Sequence, residues 1–130
     1  MSIATNFDLR LIGQIAITVH DLDKAVTFYR EVLGMRFLFK VPNMAFFDCN
    51  GVRLMLGIPL SAEHDHPASI IYYKVEDLYA AYAMFSGRGV EFTGKPQLIA
   101  KLPDHELWMA FCKDVDGNTL ALMSEVRESR

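Results

Sequence analysis

The chain has 130 residues, 52% of them hydrophobic and 22% charged, with a formal net charge of −3. That length suits one domain, and so much apolar side chain fills a core, which excludes a disordered chain. The acidic balance leaves no surplus of cations for phosphates, which argues against a nucleic-acid partner. No apolar run approaches the roughly 18–20 residues of a membrane helix, so no membrane span is expected. The opening MSIATNFDLR lacks a basic and then apolar leader. Cys49 and Cys112 lack metal or redox spacing and read as reduced thiols of a cytoplasmic protein.

Residues 11–19 (LIGQIAITV) alternate around β-branched side chains and predict a strand. Asp21 offers an N-cap for a helix over 22–33, with Leu22, Val26 and Tyr29 on its apolar stripe and Gly34 as its stop. Residues 36–41, 44–49 and 52–58 read as three short strands, turned at Val41-Pro42-Asn43 and at Asn50-Gly51. A polar connector, 59–68, follows. Then come a strand over 69–75, Asp77 as a second cap, a helix over 78–86, a strand near 90–93 and a longer one near 97–102. A hairpin of 106–113 with 118–125 closes the chain, turned at Asp116-Gly117-Asn118.

The two halves are spaced alike. Val19, Asp21, Leu22 and Ala25 recur as Val75, Asp77, Leu78 and Ala81, all displaced by 56 residues. Asp48, Gly51, Leu54 and Leu56 recur as Asp114, Gly117, Leu120 and Leu122, displaced by 66, so about ten residues are inserted in the second copy. Each half is therefore a βαβββ module.

Residues 12–35 (IGQIAITVHDLDKAVTFYREVLGM) and the closing KDVDGNTLALMSE (113–125) resemble the vicinal oxygen chelate superfamily. That superfamily includes the glyoxalase, bleomycin-resistance and extradiol-dioxygenase families. The resemblance covers residues 9–126 and implies an α+β fold. Two βαβββ modules, about 9–58 and 69–126, would form one domain with a glyoxalase-like cupped sheet. It also implies a homodimer. Metal enzymes of the group carry ligands at four positions, which fall here on Gln14, Met55, Ile70 and Ala121. One amide, one thioether and two hydrocarbon side chains suit no divalent metal, so no metal or other cofactor is expected.

With Gln14 taken to point inward, strand parity puts Thr18, Arg53, Met55, Ile70, Tyr72 and Ala121 on the same mostly apolar, Met-containing lining, and the resemblance implies that Trp108 and His105 lie near its mouth. The expected function is binding of a small organic molecule in a metal-free cavity. The alternative is a glyoxalase-like lyase, isomerase or dioxygenase with displaced metal ligands from His64, His66 or His105. His105 and Glu106 are its acid–base candidates. His20 reads as a cap-loop residue, and Glu63-His64-Asp65-His66 as a solvated loop. The Asp114-to-Asn118 segment lacks the length and closing glutamate of a calcium loop and reads as a turn.

Overall fold

Alternation and turn chemistry generate two sheets, one from each half of the chain. The computed structural model describes residues 9–127. The first module contains β1 (Gln14–Thr18), α1 (Leu22–Thr27), β2 (Arg36–Val41), β3 (Met44–Cys49) and β4 (Val52–Gly57). Its strand order is β1-β4-β3-β2, with β1 parallel to β4 and the other neighbours antiparallel. The second module contains β5 (Ile71–Lys74), α2 (Leu78–Gly87), β6 (Glu91–Phe92), β7 (Gln97–Lys101), β8 (Glu106–Lys113) and β9 (Thr119–Val126). Its order is β5-β9-β8, with β6 and β7 both laid antiparallel along β8. The inserted residues therefore break one edge strand into two pieces around Gly94 and Pro96, where proline cannot donate to a ladder.

The local signals act where the sequence places them. The Asp21 carboxylate accepts from the Lys24 amide at 3.1 Å, and Asp77 accepts from the Ala80 amide at 3.0 Å. Asn50 and Gly51 both take positive φ, 51° and 97°, as a tight right-twisted hairpin requires. The first helix departs from the simple pattern. After Thr27 it widens into a π-turn over Phe28–Val32, with Leu33 donating to the Phe28 carbonyl at 2.9 Å. The wider turn lets consecutive aromatics, Phe28 and Tyr29, both face the core, which a 3.6-residue period does not anticipate. The first strand is also shorter than expected. Leu11 and Ile12 stand outside it and are exposed.

One core joins the modules. Ile17, Val19, Phe47, Leu54 and Leu56 of the first pack in the same cluster as Val90, Cys112 and Leu120 of the second. Burial pushes the Cys112 thiol up to about 11, as expected of a thiol far from solvent. Between them the Tyr29 hydroxyl donates to the buried Asp114 carboxylate at 2.7 Å. Asp114 also accepts from the amides of Asp116 and Asn118, so the segment is an Asx-type turn and not a cation loop. The Asn118 amide group reaches back to the Thr18 carbonyl at 2.9 Å. These contacts bury one face of each sheet and leave the opposite face open.

Candidate functional site

Because side chains alternate, the residues opposite the core share the open faces. On the first sheet these are Gln14, Ala16 and Thr18 of β1, Arg53, Met55 and Gly57 of β4, and Met44 and Phe46 of β3. On the second they include Tyr72 of β5, Ala121 of β9 and Phe111 of β8. The Tyr72 and Phe111 rings meet edge to face at 5.9 Å.

The open face of the first sheet carries a groove of about 290 Å³. Thr18 and Met55 line it, together with Ala16, Met44, Leu60 and His66. Gly57 keeps its floor low. A Cβ there would stand 3.3 Å from Cε of Met55, whose side chain lies across the glycine. The connector supplies the outer wall through Pro59, Leu60, His64, His66 and Ala68. Glu63, His64, Asp65 and His66 are exposed, as expected of a solvated loop, and His64 and His66 also border the groove. Ser61 Oγ lies 2.9 Å from Nδ1 of His64. Nδ1 of His66 faces the Pro67 carbonyl at 3.2 Å.

The other expected lining residues are divided. Gln14 and Arg53 are register partners on the same face, beyond the groove. The Gln14 amide nitrogen sits 3.6 Å from the Met55 sulfur, and the Arg53 guanidinium lies 5.6 Å from the Phe46 ring centre. Ile70, Tyr72 and Ala121 belong to the second module. Trp108 is a correction: its register partner is the buried Ser124, so it points to the core side of its sheet. There it packs with Leu78, Ala110 and Leu122, beneath α2, and its ring meets Tyr79 edge to face at 6.2 Å.

His105 and Glu106 line a separate cleft of about 420 Å³ with Lys101, Asp104 and Arg127. Glu106 accepts from the Trp108 indole at 3.1 Å, which commits one carboxylate oxygen to holding that ring. His105 pairs with Asp104 at 2.8 Å, and its other nitrogen is 4.0 Å from Glu125. Lys74 and then Arg127 hold the Glu125 carboxyl below its ordinary range. No groove residue lines this cleft.

The four positions that the resemblance assigns to metal ligands do not fit a hard or borderline cation. Gln14 offers an amide, Met55 a thioether, and Ile70 and Ala121 only hydrocarbon. Among the described residues no group of three or more His, Cys, Asp or Glu side chains is arranged to hold a metal.

A second groove, of about 280 Å³, shares Thr18 and His66 with the first and adds His20, Asp65, Asp116 and Asn118. In sequence His20 is a cap-loop residue, one position before Asp21. In the fold its Nε2 lies 2.9 Å from Asp65, and its Nδ1 3.4 Å from Asp116. Those carboxylates, Asp65 foremost, raise the His20 pKa from its ordinary 6.5. A raised folded value stabilises the protein fully below 6.5, and that contribution fades as pH climbs through the folded midpoint. An NMR titration of His20 is expected to show a midpoint above 6.5 that falls back toward it in Asp65→Asn. An unmoved midpoint in that variant would remove Asp65 as the main cause.

Among the described residues no helix is long and apolar enough to cross a membrane. Residues 11–122 match the family model described as the Glyoxalase/Bleomycin resistance protein/Dioxygenase superfamily. A structure of a member of that superfamily from Sphaerobacter thermophilus DSM 20745 superposes with a TM-score of 0.74 at 26% identity. The match covers 90% of this chain and 98% of that one. The structure of TnmS3, an antibiotic binding protein from Streptomyces sp. CB03234, superposes with a TM-score of 0.73 at 22% identity. It covers 92% of this chain and 99% of that one, and at that identity shows the fold alone. The chain is also 37% identical over 62 residues to Metallothiol transferase FosB of Lysinibacillus sphaericus (strain C3-41). That stretch is 48% of this chain and 41% of the relative, so less than half of the relative is spanned.

Proposed function

Since the chain belongs to the glyoxalase/bleomycin resistance protein/dioxygenase superfamily, we propose that it binds a small, mostly apolar organic molecule without a metal. The observation that carries this reading is the groove on the first sheet. It is concave, lined chiefly by Ala16, Met44, Met55 and Leu60, and edged by a few polar groups from Thr18, His64 and His66. Two methionines let such a wall repack around ligands of different shape. The donor chemistry at Gln14, Met55, Ile70 and Ala121 supports the metal-free part. It argues against the metal dependence that the name of the metallothiol transferase relative carries. The likeness in fold to an antibiotic binding protein supports a binding role.

The working form is a homodimer in the cytoplasm. Ile70, just before β5, and Tyr72, on it, are 42% and 44% exposed, and Phe39 and Met44 are 44% and 36% exposed on the first sheet. A second copy laid over these faces would bury them and close the groove. Two unpaired cysteines, Cys49 and Cys112, agree with a reducing compartment.

The test uses the neutral fluorescent probe N-phenyl-1-naphthylamine. Saturable binding is expected, unchanged by EDTA, and weakened at least about tenfold in Ala16→Trp, whose indole would occupy the groove. Loss of binding on EDTA treatment would refute the metal-free part. Binding that Ala16→Trp leaves intact would move the site elsewhere. Sedimentation equilibrium checks the assembly, with twice the chain mass expected and a monomer contradicting it.

A further inference from the structure

The open face of the first sheet is ordered in rows across its strands, and the rows differ in chemistry. Register aligns Arg36, Asp48, Arg53 and Gln14 in one row, at the end of the sheet that holds the Asn50-Gly51 turn. Phe39, Phe46, Met55 and Ala16 form the next row, about 7 Å along the strands. Met44, Gly57 and Thr18 follow in the third, within the groove. A polar, charged row therefore stands at one end of an apolar track that leads into the groove. Met55 links the two, because it lines the groove while its sulfur lies 3.6 Å from the Gln14 amide nitrogen.

The donors of the polar row are not matched by acceptors. Arg53 is exposed, and among the described residues no carboxylate oxygen lies within 4.0 Å of its guanidinium. Asp48 stands directly opposite it, yet its Oδ1 accepts from the Gly51 amide at 3.1 Å and closes the hairpin turn. The guanidinium instead lies over the Phe46 ring, 5.6 Å from its centre, and so leans toward the apolar track. That ring is 8% exposed and stacks on Phe39 at 4.7 Å, which fixes the platform beneath the charge. A ring face attracts the cation but leaves its planar fork of N–H donors open. Beside it the Gln14 amide nitrogen has a thioether sulfur as its acceptor, a weak one. Arg36 and Arg53 against Asp48 leave the row one positive charge in excess, and an arginine stays protonated at every pH the fold meets.

We propose that the ligand of this face is an apolar carboxylate, with its body over Ala16 and Met55 toward the groove and its carboxylate on the Arg53 guanidinium beside the Gln14 amide. This deepens the binding reading above and rests on it. A carboxylate matches the guanidinium fork with two parallel hydrogen bonds and balances the excess charge. The Phe46 platform keeps water from one side of the pair, which strengthens it over a fully solvated one. A neutral alcohol of the same shape keeps the apolar contacts and loses the charged pair. An ammonium of the same shape meets like charge, which opposes its binding.

Three probes of one shape separate the outcomes: 2-naphthylacetate, 2-(2-naphthyl)ethanol and 2-(2-naphthyl)ethylammonium, titrated calorimetrically at about pH 7 and low salt. The carboxylate is expected to bind at least about tenfold tighter than the alcohol, and the ammonium weakest of the three. In Arg53→Gln, an exposed position, the ratio of carboxylate to alcohol affinity is expected to fall toward one. Lys95→Gln removes one exposed positive charge outside the groove and should leave the ratio unchanged, which separates a local contact from net charge. Ala16→Trp should weaken all three probes together. The carboxylate subsite is refuted, and the binding reading stands, if the alcohol binds as well as the carboxylate or if Arg53→Gln keeps the preference. The same holds if Lys95→Gln lowers the ratio as far as Arg53→Gln does. If none of the three probes binds, both fail together.

Discussion

Replacing Asp114 by alanine is expected to destabilise the protein by about 3–4 kcal/mol, measured as the shift in urea midpoint at constant slope. The carboxylate is 6% exposed. It accepts four hydrogen bonds, from the Tyr29 hydroxyl at 2.7 Å, the Asp116 amide at 2.8 Å, the Asn118 amide at 2.9 Å and the Asn118 side chain at 3.0 Å. Removing it orphans donors in a place that water does not easily reach, which costs more than a hydrogen bond is worth in net. The bond to Tyr29 also ties the first module to the second. Tyr29→Phe alone is expected to cost about 1–1.5 kcal/mol, and much less in the Asp114→Ala background, because the two changes remove one interaction. Additive losses would show that Tyr29 and Asp114 are not energetically coupled. A loss below about 1 kcal/mol for Asp114→Ala would mean that the turn reforms without it.

Phe47→Ala is expected to cost about 3–5 kcal/mol by the same measurement. The ring is fully buried on the core face of β3. It meets Phe37 edge to face at 5.5 Å and Tyr29 at 6.1 Å. Its loss combines the transfer of a large apolar side chain with a cavity that two flanking rings cannot fill by sliding. Phe39→Ala is the contrast. That ring stacks on Phe46 at 4.7 Å but is 44% exposed on the open face. About 1 kcal/mol or less is expected when the chain is monomeric, because little surface leaves water there. Comparable losses at both positions under monomeric conditions would contradict the assignment of core and open faces.

The repeat spacing, the two Asp caps, the Asn50-Gly51 turn and the alternation of β1 were all readable, because each depends on neighbours within a few residues. Parity along β1 and β4 also placed Thr18 and Met55 on one face correctly. It failed for Trp108. Residues 106–113 (ELWMAFCK) are apolar on both sides of the strand, so no alternation marks which side faces α2. The family resemblance implied a pocket mouth for this segment, while the register with Ser124 puts the indole in the core.

The two βαβββ modules, their turns and their caps were legible along the chain, and so was the chemistry at the four positions that the resemblance assigns to metal ligands, where only Gln14 carries an oxygen and Met55, Ile70 and Ala121 carry none. These follow from local backbone preference and side-chain chemistry, which need no knowledge of distant partners. Where the connector lies depends on packing between distant segments. Residues 59–68 have no periodicity to orient them, yet they wall the groove with Leu60, His64 and His66. Likewise His20, Asp65 and Asp116 come from three separate segments and meet only because Asn118, Asp116 and the shared core dock the last hairpin against β1. Such a meeting is fixed by long-range packing, and nothing within any one of those segments encodes it.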